Sequence, residues 1–370
     1  MRRRGLKIGL ALSGGGMRAI IFHLGVLKYL AERKLLENIE YISTVSGGSI
    51  CIALIYSNNN MRWAGSEEYL TRILPNIEKI LLKTDIESKL IIRSIVDIPH
   101  IFDTKSKKLA TTMKKYLGIE GKIGDLEKRP TWCINAVTYE TGMRFFFSQE
   151  WCGDRSIGYF RGEEVKVGEA ISASAGFPIL IGVYKLKREL YEWYDITGVK
   201  KVEQPRGKLH LWDGGVYDNL GLEPIYELMT EERSIKRINF CIISDAGAGI
   251  ESFSRYRRGV FGRTEAIKRL LDIAANKVNM LNVECFLEHI LKDENGFYVK
   301  IGESPEEILR EYECTEVRKR RLIESMLSTK ECQKVGEYET DLKKPSVEDF
   351  NRIMRHGYEM MKLKFIEKRG

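Results

Sequence analysis

Three short stretches of this 370-residue chain carry side chains that can do chemistry. The first is Ser13-Gly14-Gly15-Gly16-Met17-Arg18, set between an apolar run and an amphipathic segment. Successive glycines let the backbone bend tightly and present its N–H groups, and a helix starting there aims its positive end into the same space. Such a place binds an anion. It fits the pyrophosphate of a dinucleotide, since Gly14-x-Gly16-x-x-Ala19 matches G-x-G-x-x-A, and it fits the oxyanion of a reacting ester. A glycine turn made for packing alone is the third reading.

The second stretch is Thr44-Val45-Ser46-Gly47-Gly48. It meets the second half of the G-x-S-x-G elbow, where a sharp strand-to-helix turn holds a nucleophile clear of the sheet. Ser46 is then either a nucleophile, with the Gly47 N–H beside it, or an ordinary helix N-cap. The third stretch, Asp213 to Asn219, reads DGGVYDN. Asp213, followed by Gly214 and Gly215, either caps a turn or serves as a base at the carboxyl edge of a sheet. Each stretch falls at the carboxyl end of an expected strand, so one parallel sheet would bring all three to one edge. A nucleophile, a base and an oxyanion loop are the parts of an acyl-transfer site. A dinucleotide site accounts for the first stretch only.

The elements that must position these residues are legible from periodicity. Residues 6–12 read as a buried strand and 17–33 as a helix with Ile20, Leu24, Leu27 and Ala31 on one face. A strand over 41–45 and an apolar helix over 47–56 follow. This alternation predicts an α/β fold, a mainly parallel central sheet covered by helices. Residues 66–118 keep helical spacing through Leu70, Ile73, Leu74, Ile77 and Leu81, and again over 90–96, and read as a helical insertion or cap. Residues 131–150 read as a hairpin turning near Glu140-Thr141-Gly142, 167–175 as a short helix ending at Gly176, and 238–244 as a strand. Asp245, just after that strand, reads as structural. Pro224 opens a helix in its permitted first turn, and Ser346 with Asp349 forms a capping box for a final helix. We expect one domain over 1–370, with a catalytic core at about 6–250, an insertion at about 60–125 and a C-terminal helical extension at about 250–370.

The three motifs, in this order, resemble the patatin-like phospholipase family, over about residues 10 to 245. The likeness rests on the G-G-G-x-R loop Gly14 to Arg18, the serine elbow, the D-G-G turn Asp213 to Gly215, and "AISASAGFPIL" from Ala170 to Leu180, a small-residue helix followed by proline. Thr44 stands where the family's elbow has its first glycine. The resemblance implies a Ser46–Asp213 dyad and an oxyanion hole in the stretch Gly14, Gly15, Gly16, Met17 and Arg18, with backbone N–H groups of Gly15, Gly16 and Met17 as donors. It implies phospholipid or lysophospholipid substrates and neither metal nor cofactor. Arg18 would steady the loop or attract a phosphorylated head group.

Composition narrows the remaining classes. The chain is 43% hydrophobic and 30% charged, with formal net charge +8. That suits a protein with a substantial core, and its short, scattered basic clusters lack the interleaved aromatics of a nucleic-acid platform. Seven cysteines without a CxxC pair favour a reducing, cytoplasmic setting over a disulfide framework. The basic, apolar N-terminus imitates a signal peptide but has Lys7 within its apolar run and no A-x-A-like cleavage site. No apolar run approaches the ~18–20 residues of a membrane span. The amphipathic segments between Ser66 and Val96 suggest peripheral contact with an anionic membrane. None of the five histidines, His23, His100, His210, His289 and His356, is expected in the chemistry. His23 should lie ~10 Å along its helix from the glycine loop, and His210, three residues before Asp213, on the opposite strand face.

Overall fold

Strand β1 (Ile8–Leu12, IGLAL) is buried at every residue, as a strand covered on both faces must be. It belongs to a computed structural model that describes residues 5–90, 105–176, 182–230, 238–247, 263–289, 295–310 and 315–367. On one side of β1 runs β2 (Ile39–Thr44) and then β3 (Thr131–Thr138), both parallel to it. On the other side lie β9 (Phe240–Asp245) and β10 (Gly296–Lys300), again parallel. Leu12 pairs with both Thr44 and Ser244, so the loops that follow these three strands leave the sheet side by side.

Beyond β3 the sheet turns antiparallel through β4 (Arg144–Phe147), β5 (Trp151–Asp154) and β6 (Gly158–Arg161). Strand β7 (Tyr184–Lys187) pairs with β8 (Lys208–Asp213), and β8 runs antiparallel to β3. The expectation that one parallel sheet would carry all three motifs is therefore wrong for the aspartate. β2 and β8 share one edge of β3, arriving from opposite directions. Thr44 pairs with Ile134 and Asp213 with Ala136, while β4 occupies the other edge of β3 opposite both positions. The two strands meet end to end.

Helix α1 (Gly16–Glu32) packs on the sheet with fourteen of its residues buried, and α2 (Gly47–Ser57) is buried over its first ten. The described part of the insertion is mainly helical, and its apolar face turns inward. In α3 (Leu74–Lys83), Leu74, Ile77 and Leu81 are buried, as are Tyr69 and Ile73 before it and Ile86 after it. These apolar residues therefore belong to the core; residues 91–96 lie outside the described residues. The C-terminal region also departs from a purely helical extension, because it supplies edge strand β10. Its last helix (Val347–Glu367) packs on α1, with Tyr29 and Tyr358 ring centroids 5.4 Å apart. Ser346 Oγ accepts the Asp349 N–H and donates to its carboxylate at the start of that helix.

Candidate active site

Ser46 closes β2 onto α2 with φ 48° and ψ −115°, a conformation L-residues rarely adopt. The turn is held by Val45 N–H donating to Leu12 O at 3.1 Å and Gly48 N–H donating to Val45 O at 2.9 Å. Gly47 packs so closely on the glycine loop that a Cβ there would lie 2.6 Å from Gly16 O. A side chain at Gly47 would push the two loops apart. Ser46 occupies the N-cap position of α2, yet its hydroxyl makes no capping bond. It faces the Asp213 carboxyl instead, where it favours the ionised form.

Asp213 is buried at the end of β8. Burial pushes its pKa up to about 7, against the hydrogen bonds from the Gly215 N–H, at 2.8 Å to Oδ1, and from the Ser46 hydroxyl. A carboxylate near pH 7 in proton affinity can take a proton from a hydroxyl and return it.

The glycine loop follows β1. Gly14 N–H donates to Asn219 O at 3.1 Å, which ties the loop to the turn after Asp213. Met17 N–H donates to Asp341 O at 2.7 Å. Between them the N–H groups of Gly15 and Gly16 have no acceptor among the described residues, and neither does that of Gly47. Gly16 has φ +61°, and a Cβ there would lie 2.3 Å from Asp341 O.

A family model for patatin-like phospholipase matches residues 10–226. The chain belongs to the patatin-like phospholipase family. Its fold is similar to that of human GIVD cytosolic phospholipase A2, with TM-score 0.55 and 14% identity over 98% of this chain and 63% of that one. It is also similar to the same human protein in complex with methyl gamma-linolenyl fluorophosphonate, with TM-score 0.51 and 14% identity over 98% of this chain and 60% of that one. This chain thus spans less than two thirds of the length of those solved structures. Comparison with curated proteins finds no match. Membership in the patatin-like family supports a lipid-hydrolase function.

Within this patatin-like site, several residues sit differently from expectation. Met17 is withdrawn as an oxyanion donor because its N–H is taken by Asp341. Arg18 faces no head group. It is 1% exposed, and its guanidinium donates to Ala246 O, Gly336 O and Tyr338 O and to Thr340 Oγ1 at 2.7–3.3 Å. Burial lowers its pKa to about 10 while the Asp245 charge opposes the shift. Arg18 steadies the loop by binding it to a C-terminal segment more than 300 residues away. Thr44 is buried and does not prevent the turn, since its hydroxyl joins an internal hydrogen-bond chain with Ser49 and Trp132.

The histidines divide by environment. His23 reaches back further than its distance along the helix suggested: its ring bonds Ser13 O at 3.0 Å and Ser244 Oγ at 2.8 Å. Helical side chains lean toward the N-terminus, which shortens that reach. Buried among these partners, with pKa lowered to about 4, it buttresses the loop as a neutral ring. His210 faces away from buried Asp213 and bonds Glu140 at 2.7 Å near the surface. His356 is buried, its pKa lowered to about 4 by desolvation. His100 lies outside the described residues, and His289 lies there for its side chain. Asp245 accepts from Tyr298 Oη and the Gly247 N–H, a structural pairing.

Sequence reasoning missed Asn219 as a loop anchor, Asp341 as the acceptor beside Gly16, and Ser174, which accepts the Ser46 N–H. Only Ser174 had a local signal, its place in the small-residue helix before Gly176. Among the described residues no cluster of three or more His, Cys, Asp or Glu is arranged to hold a metal, and no helix is long and apolar enough to cross a membrane.

Proposed function

We propose that this protein is a lipid acyl hydrolase of the phospholipase A or lysophospholipase type, with Ser46 as nucleophile and Asp213 as base. The observation that carries the reading is the Ser46 hydroxyl, which leaves its helix uncapped and faces the buried Asp213 carboxyl. Asp213 takes the Ser46 proton as Oγ attacks the ester carbonyl. The N–H groups of Gly15, Gly16 and Gly47 stabilise the oxyanion. Collapse breaks the ester C–O bond, and the leaving alcohol takes the proton from Asp213. Water then attacks the acyl-serine, giving its proton to Asp213, and the second collapse returns that proton to Ser46 and releases the fatty acid.

The nucleotide-binding alternative is less well supported. Two of the loop's N–H groups are already committed to Asn219 and Asp341, and Asp341 O crowds Gly16. The test is labelling by a fluorophosphonate, alongside hydrolysis of a panel of phospholipids and lysophospholipids. Ser46→Ala should lose both while keeping the wild-type melting temperature. Labelling that persists in that variant would remove the assignment of Ser46.

A further inference from the structure

Ser174, the last residue of the helix Val167–Ser174, touches both halves of the candidate site. Its Oγ accepts the Ser46 N–H at 3.0 Å, and its carbonyl accepts the Gly214 N–H at 3.3 Å. Two residues on, Gly176 O accepts the Asp213 N–H at 3.2 Å. One helix end therefore holds the backbone at the nucleophile and at the aspartate turn together.

The hydroxyl is itself fixed. Ser174 Oγ lies 3.0 Å from Ser49 Oγ, Ser49 Oγ 2.9 Å from Thr44 Oγ1, and Thr44 Oγ1 3.5 Å from Cys133 O, while Trp132 Nε1 donates to Thr44 Oγ1 at 2.9 Å. One proton order satisfies every member: Ser46 N–H to Ser174, Ser174 to Ser49, Ser49 to Thr44, and Thr44 to the Cys133 carbonyl. Ser174, Ser49 and Thr44 are wholly buried, so water does not compete for these bonds. The chain ends at Ser46, the one member with positive φ, whose backbone needs an external hold to keep its hydroxyl aimed at Asp213. Thr44 replaces the elbow's first glycine and contributes the hydroxyl that relays this hold to β3.

We propose that Ser174 is a positioning residue: through the Ser46 N–H and the Gly214 N–H it sets the placement of Ser46 relative to Asp213. The proposal rests on the hydrolase reading for its kinetic consequences but not for its structural ones. A hydroxyl serving only to fill space at a helix end would leave the elbow's conformation and reactivity as they are.

The experiment compares Ser174→Ala, Ser174→Cys and Ser49→Ala with the wild-type chain. It reads kcat and KM on one soluble ester, the rate of fluorophosphonate labelling, and amide hydrogen exchange at Ser46. In Ser174→Ala, kcat and the labelling rate should fall together by about 10- to 100-fold, the scale of a small misplacement of reacting groups, with KM nearly unchanged. Exchange at Ser46 should speed up. Ser174→Cys, which keeps the volume and a weaker acceptor, should recover part of both and carries the test if Ser174→Ala fails to fold. Ser49→Ala, one bond further away, should have the smaller effect. Wild-type exchange at Ser46 in folded Ser174→Ala, or faster exchange with unchanged labelling, overturns the proposal. A wild-type chain that neither labels nor hydrolyses any ester defeats the hydrolase reading, and exchange still decides whether Ser174 holds Ser46.

Discussion

Thr44 and Asp213 lie end to end along one edge of β3, opposite Ile134 and Ala136. Those positions are two residue steps apart along the strand, about 7 Å. The strand that leads to Ser46 and the strand that carries Asp213 thus point at each other, and Ser46 follows two residues after Thr44. The carboxyl is enclosed by this meeting, and its proton affinity follows from the enclosure.

Asp213 should set the acid limb of kcat near pH 7, where its pKa is raised to about 7 by burial. That value falls in the usual histidine range, so position alone does not name the group. His23 and His356, lowered to about 4, stay neutral across the limb. The check is a set of five single His→Gln variants beside Asp213→Asn, each assayed from pH 5 to 9. Asp213→Asn should be inactive. His210→Gln should keep the wild-type limb. A folded His variant as inactive as Asp213→Asn would require a triad.

The same shift has a sign for stability. The folded carboxyl holds its proton above the pH at which the unfolded one, with the ordinary aspartate value of 3.8, has lost it. Stability is therefore highest below pH 4 for this group and declines as pH rises toward 7, by a few kcal/mol at most. Asp213→Asn should melt higher than wild type at pH 8 and close to it near pH 4, read by thermal unfolding at the two pH values. A variant less stable than wild type at pH 8 would place the cost elsewhere.

Gly16→Ala should lower kcat by about two orders of magnitude with a smaller change in KM. The added methyl would meet Asp341 O at 2.3 Å on a residue with φ +61°, so the loop must shift and carry its N–H donors with it. Displaced donors of this kind cost about 3 kcal/mol in the transition state. Steady-state kinetics on one ester decides the matter, and unchanged turnover would remove the loop from the chemistry.

Arg18→Lys should behave much like Arg18→Gln. The guanidinium spreads its donors over Ala246, Gly336, Tyr338 and Thr340, and a single ammonium cannot reproduce that fork. Each variant leaves buried acceptors unpaired and should lower stability by about 2–4 kcal/mol. Limited proteolysis should then cut first within 336–342. Head-group selectivity on a lipid panel should stay as in wild type, since Arg18 faces the protein interior.

Leu81→Ala should destabilise the protein by about 2–5 kcal/mol, the range for a large-to-small change in a core. Leu81 is fully buried against the main core. Liposome flotation should show the same binding as wild type at temperatures where both are folded. A stable variant with weakened liposome binding would turn this face back toward a membrane.

The three motifs and the elements around them were legible because their signals are local. Glycines at 14–16, 47–48 and 214–215 mark bends whatever the rest of the chain does, and the apolar spacing of α1 and α3 fixes which face is buried. That spacing could not say what each face meets: Leu74, Ile77 and Leu81 read equally well as a membrane face or a core face, and packing made them core. The direction of β8 was likewise beyond a local reading, because a strand's sequence carries its pleat but not its neighbour. Met17 and Asp341 are joined across more than 300 residues, Ser46 and Ser174 across 128, and no periodicity records such pairs. The sequence by itself determined which backbones could bend and which side chains could react. Only the tertiary structure decided that Ser46 would face Asp213, that Arg18 would turn inward, and that a carboxyl would be buried deeply enough to hold a proton near pH 7, since those follow from which distant surfaces exclude water together.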